Sequence, residues 1–356
     1  MKRLVYSVFA VTLLTWVGCA THTPRESASS SPLPSTFAPL PEAVTSFGAV
    51  SEEGWLYICG GHRGERHDYN AQEVSGSFYR LSLVDGNTWQ KLPSAEPAQG
   101  APLVARGGVI YRIGGMAAQN RKGEKQDLQS KSLVARFDPV RSRWEQLTPL
   151  PSPRSSHDAA VVGNKLYVGG GWQLNGGTNK PTWHDTMLVL DLARRNPQWE
   201  SIPQPFQRRA LSVAALGSRI YFLGGMDSNN KTSEAVDVFD TKTGAWAKGP
   251  DLPAGPMKGF GSSSIAQAGR LYWSGMKGEL HRLSDSGDSW ELVGKLAHPR
   301  FFHRLVPVGS NQLLVAGGEN SEGKRNDLEL LTPSFNALGT PPAERSQPQN
   351  AALPLR

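Results

Sequence analysis

The chain has 356 residues, 38 basic against 31 acidic, and a formal net charge of +7. The basic residues are scattered and form no Lys/Arg run, so nothing supports a nucleic-acid-binding arm. Length alone would allow two domains, but an internal repeat overrides that prior.

Lys2 and Arg3 precede an apolar stretch from Leu4 to Val17, too short to span a bilayer stably. Residues 1–18 read as a secretory leader. Trp16-Val17-Gly18-Cys19 is similar to a bacterial lipobox, with Trp16 where leucine is usual. That similarity implies a diacylated Cys19 as the first mature residue, and Ala20 after it favours the outer membrane. The expected location is the bacterial cell envelope, on a lipid anchor, with the membrane face left open. With Cys19 acylated, Cys59 has no disulfide partner. It ends an apolar run directly before Gly60 and reads as a buried inert thiol. Residues 19–34 read as a Ser/Thr/Pro-rich flexible tether, and residues 334–356 as a disordered tail.

Between them, six short apolar runs each end in a glycine pair. The pairs are Gly60-Gly61, Gly114-Gly115, Gly170-Gly171, Gly224-Gly225, the degenerate Ser274-Gly275, and Gly317-Gly318, at steps of 54, 56, 54, 50 and 43 residues. Around each pair the unit reads as four strands. A small apolar strand comes first, such as Ala159-Ala160-Val161-Val162. A Tyr-bearing strand closes on the glycines. The third ends in Asp, as in Val236-Asp237-Val238-Phe239-Asp240. The fourth opens with Trp: Trp89, Trp144, Trp199, Trp246 and Trp290. Small residues suit strands crowded round an axis, and Trp buries a large apolar body between sheets while its N–H seeks an acceptor. Unit six has no such Trp. Phe37-Ala38-Pro39-Leu40-Pro41 matches the spacing of Trp89-Gln90-Lys91-Leu92-Pro93, so an N-terminal strand is expected to complete unit six and close the ring.

The Tyr-x-x-Gly-Gly approach, the Asp and the following Trp resemble kelch repeats over residues 35–333. The resemblance implies an all-β, six-bladed propeller of four-stranded antiparallel blades. In such propellers ligands meet the face made by the second-to-third-strand loops and the segments leading into each inner strand. Those loops are long in units one to three (His62 to Glu73, Met116 to Lys131, Trp172 to Trp183) and nearly absent in unit five. Before the inner strands of units three to six stand Arg154, Arg208, Lys258 and Arg300. In the resemblance, this position points at the channel mouth. These four are the expected ligand-binding residues, suited to a carboxylate, sulfate, phosphate or acidic peptide, unless they pair with local carbonyls. His157 and His303, three residues after Arg154 and Arg300, read as structural.

No Gly-x-Ser-x-Gly, His-Glu-x-x-His or dinucleotide fingerprint is present, and no metal-ligand spacing stands out. No catalytic residue, cofactor or metal is assigned, and copper chemistry of the galactose-oxidase type is not expected with Cys59 on a core strand. The chain is expected to be a monomer and a binding module for a protein, peptide or glycan, an anionic one in particular. The alternative is a mutarotase of an acidic sugar, because size, leader, blade count and the closing Leu314-Val315-Ala316-Gly317-Gly318-Glu319 are similar to periplasmic sialic acid mutarotases (N-acetylneuraminate epimerases).

Overall fold

The computed structural model describes residues 33–334. The leader, Cys19 and most of the tether and tail lie outside the described residues. Five four-stranded antiparallel sheets and one three-stranded sheet follow one another along the chain, the six blades of a propeller. Their inner strands are Gly48–Glu52, Leu103–Arg106, Asp158–Val162, Ser212–Leu216, Ser263–Gln267 and Arg304–Val308. Blade three shows the pattern: Asp158–Val162 pairs Lys165–Gly169, which pairs Thr186–Asp191, which pairs Trp199–Pro203. Packed between neighbouring blades are clusters such as Val104, Tyr111, Ile113, Ala159, Leu166 and Leu188, and burial there is the main driving force for the ring. Cys59 is buried, as expected, and burial pushes its thiol pKa up.

Each of the five tryptophans that open a fourth strand clasps the blade before its own. The indole N–H donates to the carbonyl four residues past the preceding tryptophan position: Trp144 to Pro93 (2.9 Å), Trp199 to Thr148 (3.0 Å), Trp246 to Pro203 (3.0 Å) and Trp290 to Pro250 (3.1 Å). Trp89 donates to Ala38 (3.2 Å), which places the N-terminal segment as the end of blade six. Leu40 N donates to Asn326 O (2.6 Å), just as Leu150 N does to Ser132 O and Leu252 N to Glu234 O. The ring therefore closes where expected, but three residues out of the expected register. Ala38 stands where Pro93 stands, Phe37 takes the place of Leu92, and Pro34 takes that of Trp89. Phe37 and Leu40 are buried in the core between blades six and one. Residues 34–39 form no regular strand, because Pro34 and Pro39 have no N–H to add to a ladder.

One glycine position explains the weak fifth repeat. A Cβ on Gly224 (φ +66°) would lie 2.3 Å from Gly259 Cα, so blades four and five meet backbone to backbone. Gly225 N donates to Gly259 O, as Gly115 N does to Arg154 O and Gly171 N to Arg208 O. The position equivalent to Arg154 in blade five is thus Gly259, and the assignment of Lys258 is one residue early.

Candidate functional site at the channel mouth

A collar of backbone surrounds one end of the central channel, built from one residue per blade: Ser46, Gly100, Ser156, Ala210, Gly261 and Phe302. All six have φ between 49° and 65°, in the left-handed region. Five of the six N–H groups reach the carbonyl of the blade before: Gly100 to Ser46 (2.6 Å), Ser156 to Gly100 (3.3 Å), Ala210 to Ser156 (2.7 Å), Gly261 to Ala210 (2.9 Å) and Phe302 to Gly261 (2.7 Å). Positive φ at a non-glycine residue costs about 1 kcal/mol, and the hydrogen bonds around the collar offset it. Directly below, Arg304 of blade six reaches across the channel to Asp158 of blade three at 3.0 Å, and Asp158 also accepts the N–H of Val213. This pair separates the mouth from a well of about 250 Å³ lined by Ala49, Ala105, Ala160, Ala215 and Ala266.

The residue before each collar position and the residue after each glycine pair form the floor above the mouth. They bridge as Thr45 with His62, Gln99 with Met116, Ser155 with Trp172, Arg209 with Met226, and Phe301 with Glu319. Blade five has no such bridge, since its loop is almost absent. The long loops are stitched to each other. Asn120 donates to Tyr69 O and receives Ala71 N at its own carbonyl. Ser130 N donates to Leu174 O, and Gly177 N to Asp127. Blade six joins through Arg66 and Glu319 (3.2 Å) and through Lys324, which donates to Gly64 O. A wall thus runs over blades six, one, two and three, and stays low at four and five.

Arg209 stands at the low side. Its guanidinium lies over Trp172 (4.2 Å) and Phe260 (5.4 Å) and touches Met226 sulfur (3.2 Å). Its Nε is buried without a partner, and among the described residues the group donates to no oxygen. Burial lowers its pKa. Tyr69, its ring tilted against His62 (4.8 Å), lies close enough to feel the charge of Arg209. Burial raises its phenol pKa, Glu319 raises it further, and the charges of Arg209 and Arg66 oppose both. A cation held between aromatic faces, with a phenol and a carboxylate nearby, suits a ligand with a planar anionic group and an apolar body.

The expected ligand residues lie elsewhere. Arg154, Arg208 and Arg300 are 1%, 4% and 0% exposed. Each guanidinium donates to the carbonyl of the first glycine of its own blade's pair: Gly170 (3.2 Å), Gly224 (2.8 Å) and Gly317 (3.3 Å). Arg208 also meets Asp237, while Arg300 meets Asp327 (2.6 Å) and Glu329 (3.1 Å). The glycine pair turns its carbonyl inward, and the arginine satisfies it. Burial lowers the Arg154 pKa to about 10. Only Arg208 and Lys258 come together, on a cavity of about 440 Å³ where Asp237 and Glu234 already engage them. The local-carbonyl reading replaces the ligand reading for the three arginines. His157 and His303 are buried under the collar, and burial holds His303 at about 3 and His157 well below the usual range, so both are neutral. Cys19 lies outside the described residues.

Sequence reasoning missed Arg209, Tyr69 and the Arg304–Asp158 pair. The signal for Arg209 was present as the doublet Arg208-Arg209, because neighbours in extended chain point to opposite sides. One of the two had to leave the blade.

The description "KLHDC2/KLHL20/DRC7 Kelch-repeats domain" matches residues 105–292. Beta-scruin of Limulus polyphemus is 27% identical, over 61% of this chain and 23% of its own length. The human Kelch repeat and BTB domain-containing protein 12 is 29% identical, over 64% of this chain and 37% of its own length. The chain therefore spans well under half of these relatives. The solved structure of YjhT superposes with a TM-score of 0.68 at 18% identity, over 84% of this chain and 98% of that one, a likeness of fold. On the repeat, the closed six-bladed ring and the family match together, this chain belongs to the kelch-repeat family.

Proposed function

We propose that the propeller is a binding module for a peptide or protein, and that it takes an acidic group of the partner at Arg209, inside the wall formed by the loops of blades six to three. One observation carries the reading: the guanidinium of Arg209 is packed between Trp172 and Phe260 and donates to no oxygen among the described residues. Burial of an unpaired cation is costly, and a partner carboxylate would relieve it. The low rim at blades four and five gives an extended chain a way in. An array of synthetic peptides with internal and C-terminal carboxylates tests this. Enrichment of an acidic residue beside an aromatic or aliphatic one supports it, and equal capture of neutral peptides overturns it.

The leader and the lipobox-like Cys19 support display of this module at the bacterial envelope on a lipid anchor. Mass spectrometry of the mature N-terminus checks that, with a diacylated Cys19 expected and an unmodified one contradicting it. A second reading, mutarotation of an acidic sugar, draws on Tyr69 and Glu319 beside Arg209, a phenol and a carboxylate near a cation. NMR exchange between the anomers of sialic acid, with and without protein, tests it; no acceleration removes it for that sugar.

A further inference from the structure

The face opposite the mouth carries the turns that join first to second and third to fourth strands, and its charge is divided. At the turns of blades two to four stand Arg141, Arg143, Arg194, Arg195, Arg219 and Lys242, all exposed. Arg141, Arg194 and Arg219 lean on Asp138, Asp191 and Asp240 at 3.7, 3.4 and 4.0 Å, and Arg143 on Glu145 at 2.5 Å. Arg195 and Lys242 have no carboxylate within ion-pair distance among the described residues. The turns of blades one and five carry Glu53, Asp85, Asp285 and Asp288, also on the surface. Of the basic residues in that half, Arg270 is held by Tyr272, and Arg282 by Asp285 (3.4 Å) and Glu291 (2.5 Å). Two of the large exposed hydrophobics of the propeller lie on the same face, Val84 (67%) in blade one and Val140 (95%) in blade two.

We propose that this face pairs with a second copy of the chain, in place of the expected monomer. A two-fold axis lying in the face, between its two halves, sets blade one on blade two of the other copy, blade four on blade five, and blade three on blade six. Val84 then meets Val140 twice. Glu53 and Asp85 meet Arg141 and Arg143, and Asp285 and Asp288 meet Arg219 and Lys242. The pairing is self-complementary and closes, so it makes a dimer and not a filament. Both mouths face outward and stay free for ligand. The first-to-second-strand turn of blade six, Gly309 to Asn311, is uncharged, so the specificity rests on the other two blade pairs.

Sedimentation velocity on the full chain tests this. A dimer is expected in about 50 mM salt, with association weakened by screening and about tenfold more monomer at about 500 mM. R219E/K242E is expected to be monomeric, D285K/D288K likewise, and the four-fold variant carrying both swaps is expected to dimerise again. Circular dichroism confirms that each variant is folded. A wild type that stays monomeric at low salt overturns the proposal. So does a four-fold variant that fails to recover, or a monomeric wild type that instead binds phosphatidylglycerol vesicles or RNA.

Discussion

Arg304 and Asp158 stand in opposite blades, 146 residues apart, and meet at 3.0 Å across the channel. Arg304 also donates from Nε to Phe47 O (3.1 Å), so one side chain ties blades six, one and three beneath the collar. Removing one partner strands the other in a confined space. Arg304→Ala is expected to cost about 2–4 kcal/mol, a little under the value for fully buried pairs because Arg304 keeps some solvent. Asp158→Asn should cost less, since the amide still accepts from Val213. Denaturant titrations of both single variants and the double variant give the coupling, expected positive; additive losses would show that the pair is incidental.

The tryptophan clasps should separate into hydrogen bond and bulk. Trp144→Phe keeps the ring among Phe78 and Phe137 but loses the bond to Pro93 O, and about 1 kcal/mol is expected. Trp144→Ala opens a cavity and should cost about 3 kcal/mol or more. Equal losses for the two would mean that the indole N–H matters more than packing.

Two glycines of the same conformation should respond differently. Gly244 has φ +73° and open space, so Gly244→Ala is expected to cost about 1 kcal/mol. Gly224→Ala adds a methyl 2.3 Å from Gly259 Cα and should prevent the join of blades four and five, costing several-fold more. Thermal melting compares them, and similar midpoints would contradict the backbone-to-backbone join.

His303 links stability to pH. Burial holds it at about 3 in the folded protein, against about 6.5 when exposed. The unfolded chain therefore binds the extra proton first. The contribution is complete above about pH 6.5 and is lost progressively as pH falls toward 3, with a slope near 1.4 kcal/mol per unit in that window. His303→Leu should flatten the decline by that amount in stability curves taken between pH 7 and pH 4. An unchanged slope would mean that the ring is charged in place.

The architecture was legible because it rests on repetition: glycine pairs, Tyr strands and Trp positions recur in every blade or nearly so. The register of residues 33–40 was not, since Phe37 mimics Trp in spacing while the clasp from Trp89 to Ala38 is visible only in space. Arg154, Arg208 and Arg300 misled for the same reason that they recur. A residue demanded by the fold in several blades serves the fold, here by satisfying the glycine carbonyls. Arg209 occurs once, and the collar beside it is backbone, with two serines, an alanine, a phenylalanine and two glycines at its six positions. No residue pattern announces the collar, and the doublet Arg208-Arg209 is the one sign of Arg209.

The most direct measurement is the affinity of an acidic peptide, selected on the wild type, for Arg209→Gln and Lys258→Ala. At least about a tenfold loss is expected for Arg209→Gln, the size of one charge-assisted contact, with the melting temperature unchanged and Lys258→Ala binding as wild type. Full affinity in Arg209→Gln, or loss confined to Lys258→Ala, would contradict it.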